Sequence, residues 1–266
     1  LGATPFVFDI LEELRQHPRD LSSLRFFLCG GTTIPPKLFE DCRPFGIRLL
    51  SIYGSTESSP HSLVRLNDTR EHTEETDGCA VDGVEIRVVD DARHEVPHGQ
   101  EGEEASRGPQ VFVGYWGEPE MTARALDADG WYYSGDYCRT DSEGRYIRIT
   151  GRKKDIIVRG GENISSREVE DIVLEYPGVR EAAVVAMPDE RLGERSCACV
   201  SMRPGAPALH LTDLVAFFDG RRVAKYKFPE YLVVLDALPR TSSGKLQKFA
   251  LARMVRERVA AGQPSD

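Results

Sequence analysis

The sequence predicts an α/β chain in which a parallel βαβ unit is followed by a small antiparallel barrel or sheet, and then by a smaller α+β domain. Three observations carry this. Residues 24–29 and 47–53 are mostly apolar runs separated by one helical stretch, the pattern of parallel strands covered on both faces. From Val84 onward the runs shorten and alternate, as half-exposed antiparallel strands do. At Arg152, Lys153, Lys154 and Asp155, charges that want water stand directly before the β-branched run 156–158, which wants burial. A domain junction would show that conflict, and it divides the chain into residues 1–153 and 154–266.

The elements follow in order. Residues 6–17 carry Phe6, Val7, Ile10, Leu11 and Leu14 at helical spacing and stop before Pro18. Pro35 opens a second helix, which Gly46 closes. Val84, Ile86 and Val88 alternate with polar residues; residues 97–102 form a turn, 110–115 a further strand, and 131–149 a hairpin turning at 141–144. After the junction come strand 156–158, a break at Gly160 and Gly161, and a helix over 165–176. Ser165 and Glu168 have capping-box form there. Strands 182–187, 196–202 and 231–235 surround a helix over 212–218. The loop Pro239, Arg240, Thr241, Ser242, Ser243, Gly244, Lys245 leads into a last helix, and residues 263–266 are expected to fray.

Composition narrows the function. The 266 residues can bury a real core, and 40% apolar with 29% charged residues is ordinary globular usage. A net charge of −9 argues against nucleic acid as partner, since phosphate contact needs a basic surface. The longest apolar run, 182–187, is too short to span a bilayer, and no signal peptide is visible. A cytoplasmic protein is expected, with peripheral membrane association left open. The six cysteines form no CxxC pair and are expected as free thiols; Cys197 and Cys199 should share one strand face. The chain begins at Leu1 in structured-looking sequence and reads as a piece of something longer.

Ligands of open parallel sheets bind beyond the carboxyl ends of strands. Both buried strands end in suitable loops, Gly30-Gly31-Thr32-Thr33 and Gly54-Ser55-Thr56-Glu57. Backbone without side chains can approach a flat base or a phosphate, Thr56 offers a hydroxyl, and Glu57 offers a carboxylate to a hard cation. Asp136, after Tyr133-Ser134-Gly135, could accept two hydroxyl hydrogen bonds from a ribose. Ordinary turns use the same residue types. The Ser-Gly-Lys loop fails the P-loop pattern, because position 239 is Pro and position 246 is Leu. His61 has no visible partner and reads as a polar loop residue rather than a base.

Taken together, LCGGTTIP, YGSTE, GEEASRGPQVFVGY, WYYSGD, GRKKDIIVRGGENISSREVE and PRTSSGKLQK resemble, in order, the motifs of AMP-forming acyl-CoA synthetases of the adenylate-forming superfamily, nearest to bacterial short- and medium-chain fatty-acid CoA ligases. The resemblance implies ATP, CoA and Mg²⁺ as cofactors and a fatty acid as substrate. It makes residues 1–153 the C-terminal part of a large domain and 154–266 a small mobile one. It puts Tyr53 on adenine beside Gly30 and Gly31, with Gly54 and Ser55 in the same loop. Thr56 falls on the α-phosphate, Glu57 on Mg²⁺, Asp136 and Arg152 on the ribose, and Lys245 on the reacting carboxylate and α-phosphate. Lys154 becomes a hinge, and Gly160, Gly161 and Glu162 border the CoA arm. Two departures stand out. The family's phosphate loop is missing from these residues, so the chain alone is expected to be inactive, and a nucleotide- or CoA-binding piece without turnover is the rival reading. Glu104 stands where the family usually has Leu, which suggests a locally exposed edge touching no proposed site. An aryl-CoA ligase, an acyltransferase or a luciferase-like oxygenase shares the motifs. No carrier-protein segment follows to favour a nonribosomal role.

Overall fold

The computed structural model describes residues 1–31, 34–241 and 244–260, which form two compact units, Leu1–Thr150 and Gly151–Asp266. Thr32, Thr33, Ser242, Ser243 and the segment 263–266 lie outside the described residues.

In the first unit, α1 (Thr4–Gln16) buries Val7, Leu11 and Leu14 in one core with residues of β1 (Phe27–Gly30) and α2 (Pro36–Cys42). Proline suits the start of α2, where its missing N–H has no partner to lose. The helix continues into the 3-10 turn Arg43–Phe45 and ends at Gly46, whose φ of 70° is left-handed. Next comes β2 (Leu49–Ser55), parallel to β1 with Phe27 opposite Leu49 and Gly30 opposite Ile52, so the expected βαβ unit is present. The chain then doubles back. β3 (Ser59–Leu63) pairs antiparallel with β2, and after α3 (Arg70–Glu75) the short β4 (Cys79–Ala80) completes the order β1-β2-β3-β4.

The second sheet of this unit has the order β5-β6-β7-β8, made of β5 (Glu85–Val89), β6 (Gly102–Arg107), β7 (Tyr132–Thr140) and β8 (Ile147–Arg152), with α4 (Pro119–Ala125) between β6 and β7. The hairpin over 131–149 is found as read. The strand expected at 110–115 is not: those residues form an irregular loop, and the strand lies earlier, at Gly102–Arg107. Local composition misled because Val111, Phe112 and Val113 suit a strand, whereas the real strand carries Glu103, Glu104 and Arg107. Glu104 is not at an exposed edge. It is fully buried, and the cause is a buried partner described below.

The second unit holds a sheet of order β10-β9-β12-β11, with β13 parallel to β12. Its strands are β9 (Ile156–Arg159), β10 (Glu162–Ser165), β11 (Val179–Asp189), β12 (Gly193–Met202) and β13 (Tyr231–Val234). The helices are α5 (Ser166–Leu174), α6 (Leu211–Asp219) and α7 (Lys248–Ala260). Period-two alternation sends Val184, Ala198 and Val200 into the core with α5 and α6, and Ala183, Val185, Cys197 and Cys199 into the core with α7. All six cysteines are buried free thiols, and Cys197 and Cys199 share the α7 face. Ser165 caps α5 by accepting from the Glu168 N–H at 3.4 Å, while the Glu168 carboxylate is held by Lys227. Among the described residues, no helix is long and apolar enough to cross a membrane.

Candidate functional site

The site in the first unit is built where β2 turns back into β3. Gly54 is required there by packing: a Cβ would lie 2.1 Å from the Ser59 carbonyl oxygen. Gly30 is bound by the same logic, with its would-be Cβ 2.6 Å from the Ile52 carbonyl oxygen across the β1–β2 pair. These two glycines let strands approach each other, a demand that exists before any ligand is considered. Gly31 adopts a left-handed φ of 78° at the end of β1.

Opposite this turn, β7 carries a bulge. Glu103 pairs with Tyr137 and Ala105 with Tyr133, so Ser134, Gly135 and Asp136 face Glu104 alone. Ser134 Oγ donates to the Glu104 carbonyl at 2.9 Å, and the Gly135 N–H, at a left-handed φ of 72°, donates to Glu103 Oε1 at 2.9 Å. The bulge brings Asp136 to the Tyr53 hydroxyl, which donates to Asp136 Oδ2 at 3.0 Å and lies 3.4 Å from Glu104 Oε2. Burial and then the two carboxylates push the Tyr53 phenol well above its ordinary pKa, so it stays protonated and a donor.

His61 on β3 closes the group. Its Nε2 is 3.1 Å from Glu104 Oε1, and its Nδ1 lies 2.7 Å from Ser58 Oγ and 2.9 Å from the Ser59 carbonyl. Its ring meets Tyr53 edge-on, with centroids 5.1 Å apart. Burial works against a charged imidazole here, but the hydrogen bond and charge of Glu104 outweigh it and raise the His61 pKa above its ordinary value. His61 is therefore a partnered core residue, and Glu104 touches Tyr53, a proposed site residue. Both expectations from the sequence are overturned for one reason: each group supplies the burial compensation the other needs.

The rest of the YGSTE turn is tied to the loop after β6. Tyr115 donates to Glu57 Oε1 at 3.0 Å, and the Phe112 N–H donates to the Glu57 carbonyl at 2.6 Å. Burial and the Glu57 carboxylate raise the Tyr115 pKa. Ser55 Oγ lies 3.4 Å from the Tyr132 hydroxyl and accepts from the Ser58 N–H at 3.2 Å; Thr56 is exposed. Tyr115 and Tyr132 were not singled out from the sequence, although both stand in quoted motifs. No group of three or more His, Cys, Asp or Glu able to hold a metal occurs among the described residues. A hard cation at Glu57 would thus take most of its oxygens from a ligand and water.

Where the chain passes from the first unit into the second, Arg152 ends β8, and Lys154 is exposed in the 3-10 turn Lys153–Asp155. Gly160 and Gly161, at φ of 58° and 92°, make a two-residue hairpin turn between β9 and β10, with Glu162 exposed just after it. Lys245 is exposed on a loop pinned from both sides. Its N–H donates to Thr241 Oγ1 at 3.1 Å, and Arg240 donates to the Gly244 carbonyl at 2.7 Å while pairing with Glu181. Burial alone would raise the Glu181 pKa, but Arg240, with Ser201 and Arg180, brings it below its ordinary value.

Family models match both units: the AMP-binding enzyme model over residues 1–116, and the AMP-binding enzyme C-terminal domain model over residues 168–245. A medium-chain fatty-acid–CoA ligase of Escherichia coli is 64% identical over 97% of this chain, which covers 46% of that protein. A feruloyl-CoA synthase of an Amycolatopsis species is 39% identical over 91% of the chain and 49% of its own length. The crystal structure of ATP-bound MatB from Rhodopseudomonas palustris superposes with a TM-score of 0.89 at 31% identity, over 96% of this chain and 50% of that one. The chain thus spans about half the length of the relatives it matches.

Proposed function

The chain belongs to the AMP-binding enzyme family, matched in both of its units, and from this premise we propose that the intact protein is an AMP-forming ligase joining medium-chain fatty acids to CoA. The observation that carries the proposal is the 3.0 Å hydrogen bond from Tyr53 to Asp136. It joins a flat aromatic ring and a diol-binding carboxylate, which are 83 residues apart in sequence, at the end of a parallel strand. The E. coli relative named for medium-chain acids supports the substrate class.

In this reading adenine stacks on Tyr53 beside the backbone of Gly30, Gly31, Gly54 and Ser55, and Asp136 and Arg152 take the ribose hydroxyls. Thr56 donates to the α-phosphate, and Glu57, steadied by Tyr115, offers one carboxylate to Mg²⁺. When bound, that ion neutralises phosphate charge. A carboxylate oxygen of the fatty acid forms a bond to the α-phosphorus and pyrophosphate leaves. Lys245 stabilises the charge that redistributes, a task suited to a compact ammonium on a long stem. The CoA thiolate then attacks the acyl carbon and AMP leaves with the former carboxylate oxygen. Lys154 serves as the hinge between the two steps, and the Gly160-Gly161-Glu162 turn borders the pantetheine arm without a Cβ to obstruct it.

A panel of acids from butyrate to palmitate, with ferulate included, tests this when AMP and acyl-CoA are followed together. Equal amounts of both products from a medium-chain acid are expected. Preference for ferulate would move the protein to the aryl-acid side of the family, a reading the 39% identity to a feruloyl-CoA synthase favours. Nucleotide binding without AMP from any acid would leave a binding protein.

A further inference from the structure

The buried group beneath the proposed adenine platform contains more charge than a nucleotide site requires. Two carboxylates converge on one phenol proton, with Asp136 Oδ2 at 3.0 Å and Glu104 Oε2 at 3.4 Å from the Tyr53 hydroxyl. Glu104 is 0% exposed, so its carboxyl group needs partners inside the protein.

His61 takes up one side of Glu104. Its Nδ1 lies 2.9 Å from the Ser59 carbonyl, which can only accept, and 2.7 Å from Ser58 Oγ, which can donate or accept. Its Nε2 faces Glu104 Oε1 at 3.1 Å, and both side chains are 0% exposed. One oxygen of Glu104 is thereby committed to the imidazole, and the single Tyr53 proton goes to the nearer acceptor, Asp136.

We propose that His61 and Glu104 are positioning residues for nucleotide binding: a buried, hydrogen-bonded pair that fixes the Tyr53 hydroxyl on Asp136, so that ring and carboxylate meet ATP as one preset unit. The proposal rests on the adenylation reading above, and it adds two residues to the site. His61 also braces the Tyr53 ring edge-on, and the β7 bulge sits directly over Glu104, so a change at either residue is felt on both sides of the platform. An apolar residue at 104 would fill the space without orienting the phenol.

The test is ATP affinity of the intact protein, measured by calorimetry for wild type, Glu104→Gln, Tyr53→Phe and the double variant, alongside the KM for ATP and the KM for the fatty acid. Each single variant is expected to weaken ATP binding by about 5- to 12-fold, the upper part of what one buried hydrogen bond is worth. The double variant should be weaker than the worse single by less than about 3-fold, because both changes break one linkage. In Glu104→Gln the KM for ATP should rise by the same factor as binding weakens, while the KM for the fatty acid does not, a split that general damage to the fold would not give. Wild-type affinity in Tyr53→Phe would overturn the proposal however Glu104→Gln folds. Losses that multiply in the double variant would overturn it as well. Those results leave the adenylation reading intact, whereas failure of the wild-type protein to bind ATP would overturn both.

Discussion

Gly54→Ala places one methyl where β2 and β3 come closest. A Cβ at this position would lie 2.1 Å from the Ser59 carbonyl oxygen and 2.6 Å from Pro60 Cα. Favourable contact between such atoms begins near 3.5 Å, so β3 must retreat by about 1 Å or more, opening the end of the ladder where Gly54 pairs with Pro60 and Ser55 with Ser59. The atoms met are backbone and cannot rotate away, which puts the loss in the upper part of the overpacking range, about 2–3 kcal/mol. Hydrogen–deuterium exchange read by mass spectrometry should then show peptides within residues 49–63 exchanging about 30- to 150-fold faster, at tenfold per 1.4 kcal/mol. Tyr53 and His61 lie in the same stretch, so ATP affinity should fall with it. Gly220→Ala is the control, since its added Cβ would come no nearer than an ordinary 3.6 Å to the Phe217 carbonyl oxygen, and it should leave exchange unchanged. Unaltered exchange over 49–63 in Gly54→Ala would refute the packing argument.

Two further outcomes follow from the second unit. Lys245→Ala should slow adenylation by about 10²- to 10³-fold, roughly 3–4 kcal/mol, while thioester formation from supplied acyl adenylate changes far less. Equal losses in the two half-reactions would count against the assigned role. The Arg240–Glu181 anchor of the Lys245 loop should be sensitive to acid. Because the folded Glu181 pKa is depressed, its contribution is present above the ordinary carboxylate pKa of 4.5 and is lost as pH falls through the lower folded value. Backbone exchange at residues 240–246, corrected for its intrinsic pH dependence, should be protected at pH 6 and become faster only below about 4.5, and Glu181→Gln should abolish that transition. A transition centred near neutral pH in the wild type would contradict the anchor.

The parts of the fold legible in the sequence are those where local chemistry and tertiary packing agree. Gly46 ends a helix because only glycine is at ease at its left-handed φ, and Ser165 caps α5 with its own side chain. The strands that carry most of the buried apolar residues of their sheets, β2, β11 and β12, announce themselves as mostly apolar runs. β3 and β6 do not, because His61 and Glu104 occupy core positions that periodicity assigns to apolar residues. Each is tolerable only with the other present, and they are 43 residues apart in the chain. The same holds for the bulge in β7. Tyr133-Ser134-Gly135-Asp136 suggests a turn, but that the two sides of it pair with Glu103 and Ala105, aiming Asp136 at Tyr53, is a fact of the sheet register. The candidate site could be named residue by residue from its motifs, whereas the support beneath Tyr53 required the structure.

The central claim is that a carboxylate oxygen attacks the α-phosphorus of ATP and later departs with AMP. It is tested most directly by giving the intact protein octanoate labelled with ¹⁸O in both carboxylate oxygens, with ATP, Mg²⁺ and CoA, and weighing the nucleotide product. AMP carrying one ¹⁸O, in equal amount to octanoyl-CoA, is the expected result. Unlabelled AMP, or ADP with the label in inorganic phosphate, would contradict the account.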